Sequence, residues 1–224
     1  MTDKTHPTGR EIRSMPVYEL RAEKKGDSDK NTIVGYAAVF NSTTDLGYFE
    51  ERIKPGAFGR AIKERQDVRA LWNHDANFVL GRTKSGTLVL DEDNTGLRVE
   101  IDPPDTQHAR DLVESIRRGD VDQMSFAFIA VKESWTDRKG LAPLRELEDV
   151  DLFDVSPVTY PAYEATSVGM RSAESVFNDH VQSTAVQECN GDADDADATM
   201  QECGDRRRRL NLLRLETNMQ RKAK

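Results

Sequence analysis

Three residues combine reactive side chains with apolar neighbours: His74 in "VRALWNHD", Ser125 in "DQMSFAFIAVK" and Asp154 in "LFDVSPVT". Successive strand residues point to opposite faces, so phase can be read with a period of two. Ser125 shares its phase with Ala127, Ile129 and Val131, and His74 follows Val68, Ala70 and Trp72. Asp154 falls with Val150, Leu152, Ser156 and Val158, on the apolar side of its strand. A carboxylate placed there needs a partner, because burying an isolated charge is expensive. A hydroxyl, an imidazole and a carboxylate are the groups of nucleophilic acyl transfer, in which the imidazole takes the hydroxyl proton and the acid orients and compensates the imidazolium. Periodicity alone does not bring three strands together, and each residue has a plainer use. Ser125 fits as a small strand residue, His74 before "DANF" as a loop cap, and Asp154 as the opening of an Asp-x-Ser-Pro turn that binds backbone amides ahead of Pro157.

The other polar candidates read as less reactive. Glu148, Asp149 and Asp151 read as solvated charge, although Glu148 shares the even phase of Asp154 and is its competitor as a catalytic acid. His108 falls on the polar side of a helix start and is expected to be exposed; His6 and His180 fall in segments not expected to be ordered. Cys189 and Cys203 lie together in an acidic stretch, too few for a zinc site and badly placed to staple a core. No cofactor and no metal is expected.

Those residues must be positioned by the elements around them. "PVYELRA" (16–22) and "NTIVGYAAVF" (31–40) read as a hairpin around "EKKGDSDK". "KPGAFGRAIKER" reads as a short helix opened by Pro55 and Gly56, with Phe58, Ala61 and Ile62 on one face. "TLVLDEDNTGLRVEID" gives two strands about an Asp-Asn-Thr-Gly turn. In "DTQHARDLVESIRRGD", Asp105 or Thr106 can cap a helix whose Ala109, Leu112, Val113 and Ile116 form the buried stripe, and Gly119 can end it. The Ser125 strand and "RELEDVDLFDVSPVT" follow. Gly81 and Arg82 in "LGRT" offer backbone amides for an oxyanion hole, or an ordinary turn.

Length and charge bound the rest. A chain of 224 residues supports one domain and a tail. With 40 acidic against 32 basic residues, a formal charge of −8, no global basic field invites nucleic acid. No run of about 18 apolar residues exists to span a membrane, and the first residues lack the apolar core of a secretory signal. A soluble, cytoplasmic protein is expected. The boundaries read as a flexible N-terminus (1–14), one domain (15–171), an acidic disordered linker (172–204) and a basic amphipathic helical tail (205–224).

The series "IVGYAAVFN", "IKPGAF", "VRALWNHD", "VLGRTKSGTLVLDEDNTGLRVEIDPP", "DLVESIRRGDVDQMSFAF" and "LFDVSPVTYPAYEAT" resembles the prohead maturation proteases of tailed bacteriophages, serine peptidases related in fold to the herpesvirus protease assemblin. The resemblance covers about residues 15 to 170. It implies an α+β domain with a closed, mainly antiparallel β-barrel flanked by helices, with His74 as general base and Ser125 as nucleophile. Many relatives carry Glu where Asp154 stands, and assemblin uses a second histidine, so Asp154 is the least direct of the three assignments. The implied enzyme is a serine endopeptidase in the procapsid of an infected host cell. It cuts the scaffold protein or the scaffolding segment of the major capsid protein, and itself. Its partners would be those two substrates, without nucleic acid or membrane and with homo-oligomerisation left open. A non-catalytic capsid assembly factor of the same fold is the rival reading. A small-ester hydrolase is disfavoured because no G-x-S-x-G elbow surrounds Ser125.

Overall fold

The structure is a computed structural model that describes residues 9–16, 19–24, 31–139, 141–160 and 172–189. The expected turn at 25–30, His6, the acidic stretch beyond 189 and the basic tail at 205–224 lie outside the described residues.

Eleven described strands and three helices run in the order β1 (Glu11–Pro16), β2 (Arg21–Lys24), β3 (Asn31–Val39), β4 (Thr43–Asp45), β5 (Glu50–Ile53), α1 (Gly59–Lys63), β6 (Arg69–Trp72), β7 (Asp75–Arg82), β8 (Leu88–Glu92), β9 (Gly96–Ile101), α2 (Gln107–Arg118), β10 (Gln123–Thr136), β11 (Leu144–Val158) and α3 (Ala173–Cys189). They build a seven-stranded and a four-stranded sheet, the latter in the order β2-β3-β9-β8. The larger sheet runs β1-β10-β11-β5-β4, with β6 also on β11 and β7 on β6.

Strand β11 organises the larger sheet. One edge pairs with β10 along nearly its whole length. The other edge is shared in parallel, by β5 at Leu144–Leu147 and by β6 at Asp154 and Val155. The apolar residues facing the smaller sheet form one core, in which Met124, Phe126 and Phe128 of β10 meet Leu147, Val150, Leu152 and Val155 of β11. Phe58 packs edge-on against Phe126 at 5.6 Å, closing the core beside α1.

Helix α2 follows the sequence pattern closely. Thr106 is its N-cap residue, Gly119 (φ 79°) ends it in the left-handed region, and Ala109, Leu112, Val113 and Ile116 are buried. Three expectations fail. Among the described residues the sheets do not close into a barrel: the strands left for a closing ladder, β2 with four residues and β4 with three, are short and largely exposed. Residues 11–14, expected to be flexible, belong to β1, because Glu11 and Arg13 enter a buried ion network. Residues 173–189, expected to belong to the disordered linker, form α3. Val176 is buried, the Phe177 ring lies 6.2 Å from Tyr48, and His180 stacks on Trp135 at 4.0 Å, which docks an otherwise polar helix.

That ion network stitches β1 across the sheet. Arg145, fully buried, donates to Glu11 and Glu51 at 2.7 Å and to Glu133. Arg13 donates to the same Glu51 at 2.6 Å and to Glu11 at 2.7 Å. Burial alone would make the Arg145 guanidinium easier to deprotonate, but Glu11 and Glu51 outweigh it and hold the group more basic than usual.

Candidate active site

His74 is not carried on a strand. Strand β6 ends at Trp72, Trp72 pairs with Asp75, and Asn73 and His74 form the two-residue hairpin loop between them. Both have left-handed backbone, φ 54° and 58°, the signature of a type I′ hairpin, whose twist matches its strands. Asn is well suited to this conformation, and His is several-fold enriched there relative to other residues. Asn73 also fastens the loop to the end of β11. Its N–H donates to the Pro157 carbonyl at 3.0 Å, and its side-chain oxygen accepts from the Thr159 N–H at 2.9 Å. The sequence reading overlooked Asn73; the Asn-His pair between two strand-like runs is the signal that marks such a turn.

Asp154 also reaches its place by a different route from the one its phase suggested. The β10–β11 register pairs Ala127 with Asp154 but Phe128 with Leu152, which leaves Phe153 as an extra residue in a β-bulge. The bulge reverses the alternation, so Val155 continues the core face of Leu152, while Asp154 and Ser156 share the opposite face with Ala127 and Ser125. Counting by twos across residues 150–158 therefore put Asp154 with Val150 and Leu152 on the wrong side. The side that it does occupy is the side of the serine.

The three groups converge. His74 Nδ1 lies 2.6 Å from Asp154 Oδ1, and His74 Nε2 lies 2.7 Å from Ser125 Oγ. A carboxylate only accepts, so Nδ1 carries the hydrogen and donates it to Asp154, leaving Nε2 to accept from the Ser125 hydroxyl in the neutral ring. Ser125 is fully buried, the Asp154 side chain is 9 % exposed and the His74 side chain 15 %. Asp154 Oδ1 receives a second bond from the buried Ser156 hydroxyl at 2.9 Å. The Ser125 hydroxyl has another acceptor as well, the Arg13 carbonyl of β1 at 3.0 Å.

The remaining expectations resolve differently. Glu148 is held away from the histidine by Lys132 at 2.6 Å and Lys54 at 3.2 Å, and hydrogen bonds from these lysines push its carboxyl down to about 2. Asp149 and Asp151 are not bare solvated charge: Arg60 binds both, at 2.8 and 2.7 Å. His108 is half-buried, its ring 5.3 Å from Phe78. The Arg82 amide is committed to Thr87 Oγ1 at 3.0 Å. Gly81 is required by packing, since a Cβ there would sit 2.6 Å from the Thr87 carbonyl oxygen. The "LGRT" turn thus supplies no free Arg82 donor for an oxyanion. Among the described residues no group of three His, Cys, Asp or Glu side chains is placed to hold a metal.

A two-sheet α+β domain with a hydroxyl, an imidazole and a carboxylate in hydrogen-bonded sequence has the layout of a serine hydrolase. The family comparison narrows that class. The model of the caudovirus prohead serine protease family matches residues 17–182, and the chain belongs to that family. It is therefore a serine protease of phage capsid maturation, a family that acts in the procapsid within the host cell. Among solved structures, the bacteriophage T4 capsid assembly protease is similar with a TM-score of 0.44 and 12 % identity, over 68 % of this chain and 99 % of that one. No curated protein matches the chain.

Proposed function

We propose that the chain is the endopeptidase that cuts the scaffold protein, or the scaffolding segment of the major capsid protein, and its own chain, inside the prohead. Ser125 is the nucleophile, His74 the general base and then general acid, and Asp154 the orienting acid. The observation that carries the reading is the position of one imidazole, 2.7 Å from a buried hydroxyl and 2.6 Å from a buried carboxylate.

Neutral His74 accepts the Ser125 proton at Nε2 as Oγ attacks the scissile carbonyl carbon, and Asp154 stabilises the imidazolium through Nδ1–H. The imidazolium then gives the proton to the departing amine nitrogen, and the C–N bond breaks. Water, deprotonated by the same nitrogen, hydrolyses the acyl-enzyme and returns the proton to Ser125. For the first step the Ser125 hydroxyl must point at His74 rather than at the Arg13 carbonyl 3.0 Å away. An extended substrate suits a site built in a sheet, because main-chain hydrogen bonds to a strand edge can hold it while pockets read its side chains.

The basic segment 205–224 serves in this reading as a docking element for an acidic scaffold or shell interior, joined to the enzyme through the acidic stretch beyond α3. The test is co-expression with the neighbouring coat and scaffold genes. Wild-type chain shortens the scaffold or coat subunit and itself, whereas Ser125→Ala leaves all of them full length. Undiminished cleavage by purified Ser125→Ala, or a fluorophosphonate that labels the wild type elsewhere than at Ser125, would falsify the assignment. Heads that assemble normally around Ser125→Ala, with no processing in either strain, would favour the assembly-factor reading.

A further inference from the structure

We infer that Ser156 is a positioning residue of this site, a fourth member that acts on the histidine through Asp154; the inference rests on the Ser125–His74–Asp154 reading. Ser156 lies two residues after Asp154 on the same side of β11 and directly opposite Ser125 on β10. It is fully buried. Its hydroxyl donates to Asp154 Oδ1 at 2.9 Å, the same oxygen that takes the His74 Nδ1 hydrogen at 2.6 Å, and its Oγ lies 3.4 Å from Nδ1.

This arrangement does three things. A carboxylate at the end of one rotatable bond can present either oxygen, and a second donor on Oδ1 fixes which one faces the imidazole. Two donors on one oxygen also offset part of the cost of desolvating a buried carboxylate. Finally, with its own hydrogen spent on Asp154, Ser156 turns only lone pairs toward Nδ1, so every group facing that nitrogen is an acceptor. The tautomer with hydrogen on Nδ1 is thereby favoured, and it is the tautomer that leaves Nε2 open to Ser125. A serine serving only as small packing would need neither the bond to Asp154 nor this orientation.

The test uses full-length protein and the second-order rate of fluorophosphonate labelling at Ser125, which needs no knowledge of the natural substrate. Ser156→Ala removes one oxygen, and retention of the fold is checked by its melting temperature. The bond it removes is one to a charged acceptor, so labelling should slow roughly ten- to a hundredfold. Ser156→Thr, which keeps the hydroxyl, should restore most of the rate. In the Asp154→Asn background the same Ser156→Ala change should cost no more than about twofold, because the group it acts through is already neutral. An equal loss in both backgrounds, an unchanged rate in Ser156→Ala, or a Thr variant as slow as Ala would overturn the inference. Loss of labelling is expected in Ser125→Ala, and if labelling persists there the underlying site assignment fails instead.

Discussion

Neutralising Asp154 tests the acid assignment most directly. Asp154→Asn keeps the shape and one accepting oxygen but removes the charge that faces the imidazolium as it forms. At the observed 2.6 Å, unit charges in a medium of effective dielectric about 20 attract by about 6 kcal/mol. The pair is mostly shielded from solvent, so an intermediate dielectric is appropriate. A rate factor of ten corresponds to about 1.4 kcal/mol, which makes complete loss of the attraction worth about 10⁴-fold, the size seen when a triad aspartate is neutralised in other serine proteases. The retained Asn oxygen can still accept from Nδ1–H, so the expected loss is about 10³- to 10⁴-fold in kcat with little change in KM. Glu148→Gln is the matched control. It lies on the same strand six residues earlier, about 20 Å away in extended chain, and its partners are Lys54 and Lys132 rather than the histidine. Both variants are assayed side by side on one scaffold-derived peptide, with active sites counted by fluorophosphonate. A severe loss in Glu148→Gln beside a near-normal Asp154→Asn would show that the wrong acid has been chosen. Normal rates in both would reduce the site to a Ser125–His74 dyad and refute the electrostatic argument.

Three further outcomes are expected. Asn73→Ala, which puts a less suitable residue in a left-handed turn and removes the bond to Thr159, should slow labelling of Ser125 about thirtyfold at unchanged fold, each of the two lost features being worth about 1 kcal/mol; Asn73→Gly, which keeps the turn but not the bond, should fall between, and no change in either would show that the clamp is idle. Arg145→Met removes the buried guanidinium that binds Glu11 and Glu51 in the protein interior, at a cost of about 3–5 kcal/mol, and should lower the melting temperature by about 6–20 °C; a shift below about 2 °C would mean that the network is not paired as described. Burial lowers the affinity of His180 for a proton below the ordinary value of 6.5, against Asp137 and Glu133, which raise it, and with Arg145, which lowers it further. The folded state therefore prefers neutral His180, and its contribution is complete above pH 6.5 and shrinks as pH falls through the lowered value; Trp135 fluorescence should report α3 loosening as pH is taken below 6.5, and His180→Phe should remove that dependence.

Local pattern reached as far as local physics does. Helix α2 was readable because its buried stripe and its closing glycine are consecutive in sequence, and Ser125 was readable because β10 is regular where the serine sits. The histidine and the aspartate were found for reasons that the structure replaces. Strict alternation runs through Trp72 into His74, but the strand stops and a two-residue turn takes over. It also runs through Phe153, but a bulge adds one residue and exchanges the faces. Neither event changes the composition of its segment. Strand β1 was invisible because the partners of Arg13 and Glu11 lie up to 134 residues away. Helix α3 was invisible because a few aromatic and aliphatic contacts suffice to dock a helix whose average composition is polar. The open edges of the two sheets depend on which strands find long-range neighbours, and the resemblance to barrel-forming proteases carried that expectation too far.

The extra residue at Phe153 has an evolutionary consequence. Its loss would leave Leu152 opposite Phe128 and Asp154 opposite Ala127, so the ladder would run regularly through this stretch and the acid would keep the side of Ser125. A one-codon deletion at this point in the gene is therefore one that the active site can survive. The change that would silence the enzyme is a slip that draws Phe153 into the ladder opposite Ala127, for Asp154 would then pass to the face of Leu152 and the histidine would meet a phenyl ring instead of a carboxylate.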